Sequence, residues 1–89
     1  MQSQQQERPD PQVIRKFIID NFLFGQIRHG FQDDDSFLEG GIIDSTGVLE
    51  LIAFLEQRYG IKVDDDDLVP ENLDSVGRVV AYVQRKSGM

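Results

Sequence analysis

"GGIIDSTGVLELIAFLEQRYG", residues 40–60, decides the fold. Val48, Leu51, Ile52, Leu55 and Tyr59 recur at helical spacing and line one face of a helix. Asp44 or Ser45 is placed to cap its start, and Gly60 to end it. Thr46, Glu50, Ala53 and Gln57 lie opposite the apolar stripe, with Leu49 and Glu56 flanking them. Leu49 is therefore an apolar residue at the border of an exposed, acid-dotted face. A face of that kind docks a partner through one apolar contact ringed by charge.

Working outward, the N-terminal "MQSQQQERPD" is polar and aperiodic, so residues 1–10 read as a flexible tail. Asp10-Pro11 reads as an N-cap followed by proline in the first helical turn. Ile14, Phe17, Ile18 and Phe22 then share one face, which predicts a first helix over 11–24. Residues 25–43 form a long connection, and Phe31, Phe37, Leu38, Ile42 and Ile43 are expected to pin it onto the bundle. After Gly60, "IKVDDDDLVPENL" is a turn-rich link with room for one short helical turn. A last helix is predicted from Asp74 to Arg85, with Val76, Val79, Val80 and Val83 as its core stripe. Arg78, Arg85 and Lys86 suit its C-terminal half. The predicted class is all-α: a small bundle of three main helices plus a short turn, with one domain over 11–86 and a short tail at 87–89.

Eighty-nine residues leave room for only a thin core. The net charge of −7 is unevenly placed. Residues 33–74 hold thirteen acids and two bases, whereas residues 75–89 hold three bases and no acid. An acidic middle argues against nucleic acid and anionic membrane, and for partners with basic surfaces. Without cysteine there is no disulfide framework and no thiolate metal site, and any thiol chemistry needs a thiol brought from outside the chain. No apolar run is long enough for a signal peptide or a membrane span, so the expectation is a soluble cytoplasmic monomer.

The acid runs do not form a calcium loop. An EF-hand wants glycine at its sixth position and glutamate at its twelfth. Counting from Asp33 those positions hold Leu38 and Asp44, and from Asp64 they hold Val69 and Ser75. His29 is the only histidine, and Ser45 has no evident base nearby in sequence, so a hydrolase is not expected. Asp44-Ser45 has an internal control in Asp74-Ser75, which also opens an amphipathic helix. Capping alone would explain both pairs. Ser45 differs in following Gly40-Gly41, in ending a long connection and in opening the helix with the second apolar feature at Leu49. A helix N-terminus also presents free amides and the positive end of the macrodipole, a favourable field for a phosphodiester.

"GGIIDSTGVLELIAFLEQRYGIKV" resembles the attachment region of acyl carrier proteins, and "LVPENLDSVGRVVAYVQRK" is similar to their third-helix link and last helix. The resemblance covers about residues 11–86. It implies that Ser45 bears 4′-phosphopantetheine, that Asp44 is the acid before it, and that Thr46, Leu49, Glu50, Ala53 and Glu56 belong to a partner-recognition helix. It implies a carrier with no catalysis of its own. A phosphopantetheinyl transferase would modify it, a ligase would load it, and downstream acyl-transfer enzymes with basic docking surfaces would unload it. Thr46-Gly47 stands where the family usually has leucine and a polar or acidic residue. Glycine two after the serine is similar to stand-alone aminoacyl and D-alanyl carriers, so the cargo is left open among fatty acyl, polyketide and amino acid. The alternative reading is an acidic helical interaction module without a prosthetic group.

Overall fold

The computed structural model describes residues 8–23 and 32–88, and among them only helices, turns and connections occur. The order is α1 (Pro11–Phe22), α2 (Ser45–Tyr59), a 3-10 turn (Asp65–Asp67), α3 (Pro70–Leu73) and α4 (Val76–Ser87). The expected all-α bundle of three main helices is present, with two short turns in the link where one was expected.

Each boundary has a local cause. The Asp10 carboxylate accepts from the Gln12 amide at 2.9 Å, and Pro11 fills the first helical position. Helix α1 stops at Phe22, earlier than the predicted 24, because Leu23 closes the last turn with its amide on Ile18 and Ile19 carbonyls. Phe31 and His29 lie outside the described residues. Helix α4 begins at Val76 and runs to Ser87, so the predicted span of Asp74 to Arg85 is shifted. Ser75 caps it by accepting from the Arg78 amide at 3.2 Å, and Asp74 is left outside the helix for other work.

The core joins Ile14 and Ile18 of α1, Leu51 and Leu55 of α2, and Val76, Val79, Tyr82 and Val83 of α4. Helix α4 packs mainly on α3 and α1 and also touches α2. That position explains why Tyr82, off the predicted valine stripe, is also buried: a helix contacted on three sides buries more than one narrow stripe. Val48, Ile52 and Val80 are only half-buried at the edge of the same core.

The described part of the long connection, residues 32–43, is held by a few anchors. Phe37, Ile42 and Ile43 are buried as expected, but Leu38 is 51 % exposed and does not pin the loop. The Phe37 amide donates to the Asp74 carbonyl at 2.7 Å, and the Ile42 amide returns to the Phe37 carbonyl at 2.8 Å. With its carbonyl committed at that corner, Phe37 points inward and its neighbour Leu38 is turned out. Arg15 of α1 binds Asp33 at 3.1 Å, and the Asp33 carbonyl accepts from the Gly77 amide at 2.8 Å. The loop thus bridges α1 and the start of α4.

Candidate functional site

Helix α2 starts with Asp44 as its N-cap. The backbone there is extended (φ −97°, ψ −177°), and the carboxylate accepts from the Gly47 amide at 2.7 Å. The Asp44 carbonyl takes the Val48 amide at 3.1 Å. The amides of Ser45 and Thr46 are the ones the helix leaves to its surroundings. Ser45 is the first helical residue and is exposed. Of the two candidate caps, Asp44 therefore does the capping and the Ser45 hydroxyl stands clear. Gly41 before it is left-handed (φ 66°), a conformation that turns the connection toward α2 and that a side chain would strain.

The second Asp-Ser pair has the opposite division of labour. Ser75 is the cap and is only 4 % exposed. Asp74 accepts from the Ser36 hydroxyl and from the Leu38 amide at 3.0 Å, which ties the loop before Ser45 to the foot of α4. The dipeptide alone gave no signal of this exchange of roles, because it follows from which partner each side chain meets in three dimensions.

Gly47 has a packing reason. It is buried, and a Cβ there would lie 2.7 Å from Cε1 of Phe22 and 3.0 Å from Cγ2 of Ile43. The glycine lets the end of α1 close against the first turn of α2, beneath the serine. Gly47→Ala is expected to lower stability by about 1 kcal/mol, because overpacking at about 1–3 kcal/mol outweighs the helix-propensity gain of up to about 1 kcal/mol. Gly77→Ala is the control: its Cβ would meet only the Asp33 carbonyl at 3.4 Å. Urea unfolding that places Gly47→Ala at or above the Gly77→Ala variant in stability would contradict the close-approach argument.

Down α2, Thr46, Leu49, Glu50 and Ala53 are all exposed, and Leu49, at 62 %, is the most open of the large apolar residues among the described residues. Glu56 differs: it is half-buried, and its carboxylate accepts from the Val63 amide at 3.0 Å, holding the chain after the helix. Three further apolar residues escaped the sequence reading as site members: Leu38, Leu68 and Val69, each more than a third exposed. They rim an apolar cleft of about 110 Å³ whose floor includes Phe37, Val48 and Leu73. Val48 is three residues after Ser45, one helical turn away on the same side of α2. The available signal was "LVPENL", two apolar residues just before a proline-initiated turn in an otherwise acidic link.

The acid runs have structural uses. Asp35 accepts from the Gln32 amide at 2.8 Å, and Asp64 and Asp67 both bind Lys86 at 3.2 Å. Asp67 also accepts from the Tyr82 hydroxyl at 2.7 Å. That hydrogen bond is the largest influence holding the Asp67 carboxyl below the usual carboxylate range. Burial first, and then the same bond, push the Tyr82 phenol above its ordinary value. Among the described residues, no three carboxylates or histidines stand together as a metal centre, and no helix is long and apolar enough to cross a membrane.

A family model described as the phosphopantetheine attachment site matches residues 26–83. An acyl carrier protein of Rhodococcus erythropolis is 42% identical over 52 residues, covering 58% of this chain and 55% of its own length. A meromycolate extension acyl carrier protein of Mycolicibacterium aurum is 40% identical over 52 residues, 58% of this chain and 52% of the relative. An acyl carrier protein of Thermotoga maritima is 40% identical over 45 residues, 51% of this chain and 53% of the relative. The chain spans about half the length of these curated relatives.

Proposed function

Because the chain belongs to the phosphopantetheine attachment family, we propose that Ser45 bears 4′-phosphopantetheine and that the protein carries an acyl or aminoacyl group for partner enzymes. The observation that carries this reading is the contrast between the two serines: Ser45 is exposed at the start of a long helix, and Ser75 is buried as a cap. The prosthetic group supplies the thiol that a cysteine-free chain lacks, and so the thioester chemistry. The residues of this chain fit it. Asp44 takes over the capping and frees the Ser45 hydroxyl, and the remaining first-turn amides and the helix macrodipole favour a phosphodiester there. The cleft beside Val48 suits an apolar portion of the cargo. The protein itself performs no bond chemistry in this reading. It tethers the cargo and raises its effective concentration at each docked enzyme. The setting we assign is the cytoplasm, with a phosphopantetheinyl transferase, a loading ligase and acyl-transfer enzymes as partners.

The test is direct. Incubation with coenzyme A and a phosphopantetheinyl transferase is expected to raise the intact mass by one phosphopantetheine, with tandem fragmentation locating it on Ser45. A folded chain that stays unmodified with several transferases would instead favour an interaction module.

The docking face is assigned to Thr46, Leu49, Glu50 and Ala53, with Glu56 contributing its charge while it holds Val63. Glu50→Lys is expected to slow the transferase reaction about tenfold at low salt, the lower end of what steering supplies. The effect should shrink toward 1 M salt, where the screening length falls to about 3 Å. Leu49→Ala should weaken association by about 1 kcal/mol, roughly fivefold, with little salt dependence. Kinetics across a salt series separate the two. Wild-type rates for both variants at low salt would remove this helix face from recognition.

A further inference from the structure

One wall of the apolar cleft, Leu68, Val69 and Pro70, has little regular structure of its own. Leu68 and Val69 lie between a three-residue 3-10 turn and the four-residue α3, which Pro70 opens. Helix α4 holds this wall from behind at three places. Tyr82 and Lys86 reach Asp67, at 2.7 and 3.2 Å. Arg85 donates to the Asn72 side-chain carbonyl at 2.7 Å, and Asn72 in turn donates to the Asp67 carbonyl at 3.0 Å. Arg78 donates to the Pro70 carbonyl at 3.2 Å. Arg78 and Arg85 are exposed and compete with water, whereas Tyr82 is 2 % exposed and rooted in the core. Its hydroxyl is the one rigid end of the clasp.

We propose that Tyr82, acting through Asp67, is a positioning residue that sets how far the Leu68–Pro70 wall stands from Val48 and Phe37, and so limits the size of the apolar group the cleft shelters. The occupant is the apolar end of the chain's own cargo, brought there because Val48 lies one turn from Ser45. That identity rests on the carrier reading, but the clasp acts equally on the unmodified chain. A charged acceptor at a nearly dry hydroxyl makes a stronger bond than a neutral surface pair, which lets a single contact fix a short segment. At about 110 Å³ the clasped cleft is smaller than the cavities of roughly 150 Å³ that admit benzene.

The experiment uses the full, unmodified chain with benzene as the probe, followed by the methyl signals of Val48, Leu68 and Leu73. Tyr82→Phe removes only the hydroxyl and keeps the ring in the core. Asp67→Ala breaks the same bond from the half-exposed side, where the core is untouched. Both variants are expected to bind benzene at least fivefold more tightly than the wild type. The double variant should match Asp67→Ala, which already lacks the Tyr82 bond together with the Lys86 pair and the Asp64 amide contact. Exchange of the Asn72, Leu73 and Asp74 amides should quicken more than that of the Ile18 amide. Unchanged or weaker benzene binding in both variants overturns the proposal, as does equal quickening of α1 and α3 amides, which marks plain destabilisation. The carrier reading fails on a different observation, the absence of a mass increment at Ser45.

Discussion

Ser45→Ala is expected to abolish phosphopantetheine incorporation completely, with the fold and its stability almost unchanged. The hydroxyl stands exposed on the first residue of α2, and it does no structural work there, because Asp44 already holds the cap. Alanine is also the best helix former, so the first turn tolerates it. Ser75→Ala should behave in the reverse manner. It should be modified at the wild-type rate but lose about 0.5–2 kcal/mol, since Ser75 accepts from the Arg78 amide and is buried. Intact mass after transferase treatment, paired with thermal unfolding, reads both halves. Incorporation into folded Ser45→Ala protein, or its loss in folded Ser75→Ala protein, would sink the assignment.

Phe37→Ala is expected to have the largest effect on stability. Phe37 sits among residues 32–44, which are described without helix or strand, yet it is 1 % exposed and among the largest fully buried side chains. Truncating a buried phenylalanine costs about 3–5 kcal/mol, a large part of the 5–15 kcal/mol typical of a domain. At about 4–8 °C per kcal/mol for a domain of this size, the melting temperature should fall by more than about 10 °C. Leu38→Ala, one residue on, should shift stability by less than about 0.5 kcal/mol because Leu38 is half exposed. Thermal melts of the two variants give the answer. If they come out equal, the loop is not pinned through Phe37, and the wall it provides to the cleft would need another support.

Much of the bundle was legible before any coordinates. The stripes Ile14/Ile18, Leu51/Leu55 and Val76/Val79/Val83 are periodic, and periodicity dictates which face of a helix must leave water. Asp10-Pro11 marked the start of α1 and Gly60 the end of α2, because caps and stops act within a few residues. Exposure of Thr46, Leu49, Glu50 and Ala53 followed from the same helical wheel.

What the sequence could not decide are matters of contact between distant segments. Whether Asp or Ser caps in each Asp-Ser pair depends on what else the other side chain can reach. Asp74 finds Ser36 and Leu38 from a loop nearly forty residues away, while Ser45 is left facing outward. Gly47 reads as a departure from a family pattern until Phe22 of α1 is seen to close over it. Phe37 and Leu38 are equally apolar neighbours, and it is the corner's bonds to Asp74 and Ile42 that set Phe37 inward and Leu38 outward. Glu56 reads as a docking acid by position, and only the fold shows that its carboxylate also accepts from the Val63 amide. Local pattern determines helices because its forces act within a turn. The placement of the serine, the cleft and its clasp is decided by packing and hydrogen bonds that exist only once the helices have met.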